Sequence, residues 1–239
     1  MVDFRFMNAL FKSFTSFLGS SIGKKILVAV TGAVLVLFVL GHMIGNLLIF
    51  AGPDMINEYG HFLRTMLHGA GLWIARAVLL ACVVIHIVLT VALTRENRAA
   101  RAGRYRRKAT LVATRSSRIM ILSGLTLLAF IIYHVLHFTV HAGNDYGTYK
   151  TSLHGETVHN VHKMVVAGFS WLPASAFYLV AMALLCSHLA HGVGSMFQTL
   201  GLATDRSRPI LITLGRAFAA IVFIGNCSIP LAVMLHLVK

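Results

Sequence analysis

Residues 119–141 read IMILSGLTLLAFIIYHVLHFTVH, a run without a single charge. About 20 such residues suffice to cross the hydrocarbon of a bilayer as a helix, which is the default where the backbone must satisfy itself. Working outward, four more runs behave alike. The spacing predicts span I at about 26–50, span II at 71–94, span III at 119–141, span IV at 171–197 (opened by Trp171 and Pro173) and span V at 210–237, which contains one charge, Arg216. The chain of 239 residues is 57% hydrophobic and 12% charged, with mean hydropathy +0.79. A soluble domain of this size carries about a quarter charged residues. The expected fold class is therefore an all-α membrane protein with five transmembrane helices in one domain. Helices I–IV are expected to form an up-down four-helix bundle, with helix V peripheral.

The net charge of +14 is unevenly placed. Arg5, Lys12, Lys24 and Lys25 precede span I, nine Lys and Arg fall between Arg95 and Arg118, and Arg206 and Arg208 follow span IV. The opposite connections, 51–70 and 142–170, hold only Arg64, Lys150 and Lys163. The positive-inside rule then expects the N-terminus and the basic block in the cytoplasm and the C-terminus outside. The basic charge reads as topology signal, contact with anionic membrane lipid and a docking face for a cytoplasmic partner. Nucleic acid is not expected, because no soluble domain is left to bind it. Residues 1–25 lack the pattern of a cleaved signal peptide, and FMNALFKSFTSFL is amphipathic and suited to the membrane interface. Cys82, Cys186 and Cys227 lie in apolar runs with no CxxC spacing, which argues against a disulfide framework or a cysteine-ligated cluster.

The chain has 13 histidines, several inside the spans, where an ionisable group is costly and points to function. His42 lies in span I, His86 in II, His134, His137 and His141 in III, and His188 and His191 in IV. Counted from the basic end at 1.5 Å per residue, His42 and His134 lie ~24 and ~22 Å deep, His86 and His188 ~13 and ~15 Å. The four sort into an outer layer shared by spans I and III and an inner layer shared by II and IV, ~10 Å apart. In an up-down bundle those helices are diagonal, which leaves room between each pair for a flat macrocycle held through two axial imidazoles. Iron bound at Nε2 requires Nδ1 to donate to a carbonyl or hydroxyl. Gly41 and Gly45 beside His42, and Gly192 and Gly194 after His188, would let a porphyrin lie against the helix. The competing readings are a histidine that merely bonds helix to helix, and a bare metal site at H-x-x-H in spans III and IV. The second normally needs Asp or Glu, and none lies in any span.

Read together, SSIGKKILVAVTG with LGHMIGN in span I, LLACVVIHIVLT with TRENRAAR in span II, SGLTLLAFIIYHVLHF in span III and HLAHGVGSMFQTLG in span IV carry a likeness over nearly the whole chain. It resembles the five-helix, di-haem cytochrome b membrane anchor of succinate:quinone oxidoreductases, the succinate dehydrogenase and fumarate reductase complexes. The resemblance implies two haem b groups, the outer held by His42 and His134 and the inner by His86 and His188. His137 and His191, with Arg76, become propionate-side or supporting residues; Arg216 also needs a partner near the bilayer. It implies an enzyme complex of the bacterial cytoplasmic membrane, in which this chain is the quinone-reactive subunit and has no succinate or fumarate site of its own. Its partners would be a flavoprotein subunit and an iron–sulfur subunit on the cytoplasmic face, and its substrate menaquinone or ubiquinone. Glu58, Tyr59, His61, Arg64 and His68 are the quinone-site candidates, with solvated loop residues as the competing reading. Where some members have a Glu two residues before the span IV ligand, this chain has Cys186. The alternatives are a haem b anchor of a hydrogenase or formate dehydrogenase, or a histidine-rich metal transporter.

Overall fold

The computed structural model describes residue 12, residues 15–100 and residues 120–239. The first part of the interfacial segment expected over 1–25, and most of the basic block between Arg95 and Arg118, lie outside the described residues. Seven α-helices are described: α1 Ser21–Leu47, α2 Pro53–Thr65, α3 Ala70–Ala99, α4 Met120–Val135, α5 Val161–Ser170, α6 Leu172–Thr199 and α7 Arg208–Met234. Five helical stretches are long and apolar enough to cross a membrane, containing α1, α3, α4, α6 and α7 in turn. The protein is an all-α, multi-pass membrane protein with a single short hairpin among the described residues, β1 Lys150–Leu153 and β2 Glu156–His159.

The bundle follows from where the small and apolar residues fall. α1 packs on α3 and on α6, and α4 packs on α6, so α1 and α4 stand diagonally, as do α3 and α6. α3 and α4 do not pack along one another, which leaves that side of the bundle open among the described residues. α7 seats in the groove between α1 and α6. Its Gly215 lies against Val193, Ala190 and Gly194 of α6, and its Gly225 leaves no room for a Cβ beside Met43 of α1. Close approach through small residues drives helix association where lipid removes the hydrophobic incentive. Helix V is thus outside the four-helix bundle yet closely packed, with Ala219 and Val222 fully buried. Leu37, Leu80, Leu122 and Ile224 face outward, as expected where lipid is the solvent.

Two connections expected as loops carry structure. After span I, Gly52 at φ 113° breaks the helix in a conformation only glycine adopts easily, and Pro53 opens α2. Between spans III and IV the chain forms the hairpin, with β1 antiparallel to β2 and Lys150 opposite His159, followed by α5. The turn is His154 (φ 51°) and Gly155 (φ 85°), a left-handed pair that matches strand twist. His-Gly is a weaker turn signal than Asn-Gly, and each strand has four residues, so the pattern is hard to see in sequence.

α2, the hairpin and α5 together cap one end of the bundle. Asn57 of α2 is 1% exposed, and its Oδ1 accepts the backbone N–H of His162 at the start of α5 (3.0 Å). His154 contacts Glu58 (2.8 Å) and His61 faces Glu156 (3.7 Å), tying the hairpin tip to α2. At the other end Lys24 of α1 pairs with Glu96 of α3, fixing these two helices antiparallel. His159 is 7% exposed and stacks on His141, and its Nε2 has no hydrogen-bond partner in the structure. Burial, then the nearby Arg64, His141 and Lys150, push its pKa down to about 4.

Two predictions follow from the cap. Asn57→Ala leaves the buried N–H of His162 unpaired and should cost about 1–3 kcal/mol, read as a lower thermal midpoint in detergent. His159 has a folded pKa below its unfolded value, so the unfolded chain takes the proton first. Stability should therefore fall as pH drops from ~6.5 to ~4 and this contribution should level off below that window. His159→Phe should flatten that part of the pH profile of thermal unfolding.

Candidate functional site

Of the four intramembrane histidines singled out by depth, the outer two meet across the bundle, and the inner two each lie against a neighbouring helix. In the outer pair, His42 of α1 and His134 of α4 face each other with ring centres 5.6 Å apart and planes at 88°. In the inner pair, His86 of α3 lies against Gly32 of α1, and His188 of α6 lies beside Gly124 of α4. At Gly32 a Cβ would come within 3.3 Å of the His86 ring; at Gly124 the distance is 3.7 Å. The approach at Gly32 is tight for any larger residue, whereas that at Gly124 is ordinary contact.

The hydrogen bonds of the inner pair decide which nitrogen carries the proton. His86 Nδ1 lies 3.1 Å from the carbonyl of Val28, which can only accept. It also lies 3.2 Å from Thr31 Oγ1, whose own proton goes to the Leu27 carbonyl (2.7 Å). His188 Nδ1 lies 3.2 Å from Ser123 Oγ, which donates to the Met120 carbonyl (3.0 Å). A hydroxyl whose proton is taken by its own helix can only accept. The Val28 carbonyl therefore holds the proton of His86 on Nδ1 and leaves its Nε2 bare, and Ser123 accepts from His188 Nδ1 when its own proton goes to Met120. In the outer pair, His134 Nδ1 lies 3.1 Å from the Tyr178 hydroxyl, and His42 stacks on Phe38 at 5.3 Å.

The spacing of the two layers is read from these contacts. Thr31 and His42 are 11 residues apart on α1, as are Ser123 and His134 on α4, and Tyr178 and His188 are 10 apart on α6. Three helices agree on a separation of about 15–17 Å at 1.5 Å per residue. This corrects the ~10 Å expected from depth. Counting from each helix's last charge assumes that the charges are coplanar, whereas contacts between helices measure the register directly.

Of the glycines expected to flank a cofactor, Gly41 and Gly192 meet no neighbour, but Gly45 is filled by the Tyr59 ring and Gly194 packs on Ile212 of α7. His42 is enclosed by protein yet keeps exposed surface, and His86, His134 and His188 are only half-buried although directed inward. Two imidazoles bound through nitrogen to opposite sides of one metal atom stand roughly 6 Å apart, centre to centre, for bonds of about 2 Å. The outer pair is within about an ångström of that. Among the described residues no cluster of three or more His, Cys, Asp or Glu forms a metal site. Two imidazoles alone would hold a metal only in a group that brings its remaining ligands with it.

The remaining candidates separate. His137 shares the Tyr178 hydroxyl (3.2 Å), while His191 lies one turn inward of His188 and is half-buried. Arg76 is exposed and stacks over Trp73 at 5.0 Å, and Arg216 is exposed on α7, outside the bundle. Glu58 and His61 are engaged with the hairpin, and Tyr59 packs against α1. Arg64 is exposed in the last turn of α2, and His68 sits in a left-handed turn at φ 54°. Val28, Thr31, Ser123 and Tyr178 are the partners that sequence reasoning did not name. Ser and Thr are common in membrane helices, and only the fold shows which of them face a histidine.

Ser123 is the partner identified for His188 Nδ1, whereas His86 keeps the Val28 carbonyl if Thr31 is lost. Ser123→Ala should therefore destabilise the protein by about 1–3 kcal/mol and Thr31→Val by under about 1 kcal/mol, compared by thermal unfolding in detergent. Against known proteins, no family model, no curated protein and no solved structure matches this chain.

Proposed function

We propose that the chain is a di-haem cytochrome b membrane anchor of a succinate dehydrogenase or fumarate reductase complex, passing electrons between an iron–sulfur subunit and membrane quinone. One observation supports the reading above the others: histidines at two levels of the bundle, the outer two with ring centres 5.6 Å apart and His86 held by the Val28 carbonyl in the tautomer that frees Nε2. His42 and His134 would hold one haem b and His86 and His188 the other. When bound, such groups supply one-electron iron couples. The protein's contribution is to fix ligand orientation and to keep the two levels apart by a set length of helix.

The charge asymmetry supports placing the basic end in the cytoplasm of a bacterial cell, with the N-terminus there and the C-terminus outside. The flavoprotein and iron–sulfur subunits would dock on that face. At the opposite end Glu58, Tyr59, His61, Arg64 and His68 lie along α2 and the turn after it, and quinone, menaquinone or ubiquinone, would exchange protons on that side. The bonds of Glu58 and His61 to the hairpin give these groups a structural task as well.

The test is a pyridine haemochrome assay with redox titration on the purified complex. Two b haems per chain with separate midpoints are expected. His42→Ala and His134→Ala should each remove the same haem, and His86→Ala and His188→Ala the other. A colourless preparation, or loss of one common haem by His42→Ala and His86→Ala alike, overturns the assignment.

A further inference from the structure

The Tyr178 hydroxyl lies 3.1 Å from His134 Nδ1 and 3.2 Å from His137 Nδ1. It is held there firmly. The ring is 6% exposed and is met edge-on by Phe130 and Phe169, each with centres 5.0 Å away. Immediately after Val135, the backbone leaves α-helical geometry for a π turn over Leu136–Val140, which contains His137. Such turns re-aim side chains and gather at functional sites.

A phenol has one proton. It can donate to only one of these two ring nitrogens, and the other must donate to it. The histidines are therefore forced into opposite tautomers. At the inner level the Val28 carbonyl settles the matter for His86, and Thr31 and Ser123 each have a carbonyl of their own helix to donate to. A tyrosine hydroxyl is too far from its own backbone to do the same. His137 occupies the place those carbonyls fill.

We infer that Tyr178 is a positioning residue for His134, and that His137 sets its polarity by accepting the phenolic proton. His134 then donates from Nδ1 to Tyr178, Tyr178 donates to Nδ1 of His137, and Nε2 of His134 is bare. The reverse order would protonate Nε2 of His134 and remove its lone pair. The inference rests on the proposed role of His134 as an axial ligand. It assigns the H-x-x-H pair of span III one ligand and one supporting group instead of two ligands.

Accepting a hydrogen bond from an axial imidazole strengthens its donation to iron, so losing that acceptor should raise the midpoint potential. The experiment is a spectroscopic redox titration of the purified holo-complex carrying Tyr178→Phe, His137→Leu, both, or His137→Gln. Tyr178→Phe and His137→Leu are each expected to keep two haems and to raise the outer midpoint. The double variant should match Tyr178→Phe alone, His137→Gln should restore the wild-type value by keeping an acceptor, and the inner midpoint should stay fixed throughout. The inference is overturned by unchanged midpoints, by additive shifts in the double variant, by equal shifts of both haems, or by loss of the outer haem in His137→Leu. If Tyr178→Phe does not accumulate, His137→Leu against His137→Gln decides the question. Absence of haem from the wild type overturns the proposed function and this inference together, whereas two haems with unmoved midpoints overturn this inference alone.

Discussion

An imidazole inside a lipid-embedded bundle cannot leave its N–H to water, and the arrangement of this protein turns on where those protons go. A polar group without a partner costs several kcal/mol in hydrocarbon, so the N–H of an imidazole buried in the bundle needs an acceptor there. Val28, Thr31 and Ser123 meet that need on the same side of each ring, at Nδ1. On His86 this leaves the second nitrogen free. The packing of the bundle follows from this. α1 has to approach α3 closely enough for Gly32 to receive His86, and α4 has to approach α6 closely enough for Ser123 to reach His188.

The remaining helices and connections keep those approaches fixed. α7 fills the outer groove of α1 and α6 through glycine contacts and clamps the two helices that carry one histidine of each level. The cap ties the I–II and III–IV connections together through Asn57 and the crossed His–Glu contacts. It lies at the end nearer the outer pair, while the excess of basic residues lies at the other end. An electron path and a proton-exchanging end can share one small chain when the two jobs are separated along the helix axis in this way. That division is what the proposed quinone-reactive role requires.

Much of this was legible in the residues. Uncharged runs located the five spans to within a few positions, because the cost of a charge in lipid marks helix ends. The meeting of His42 with His134 was legible too, since up-down connectivity leaves little choice of neighbour once depths are sorted. The layer separation was not, because helices overrun their flanking charges by different amounts: α3 continues past Arg95 to Ala99, and α1 begins at Ser21, before Lys24. The hairpin and α2 were read as loops because short polar elements have neither the length nor the apolar period that makes a span visible.

Sequence by itself therefore determined the solvent, the number of crossings, the charge asymmetry and which histidines share a level. Each depends on one-dimensional order: hydropathy summed along a helix, and distance from a charge. Only the tertiary structure decided which hydroxyl or carbonyl meets each ring, that Tyr178 is shared by His134 and His137, and that α3 and α4 stand apart. Those facts depend on the rotation and axial shift of one helix against another. Both are set by side-chain packing between residues far apart in the chain, and neither leaves a periodic trace in it.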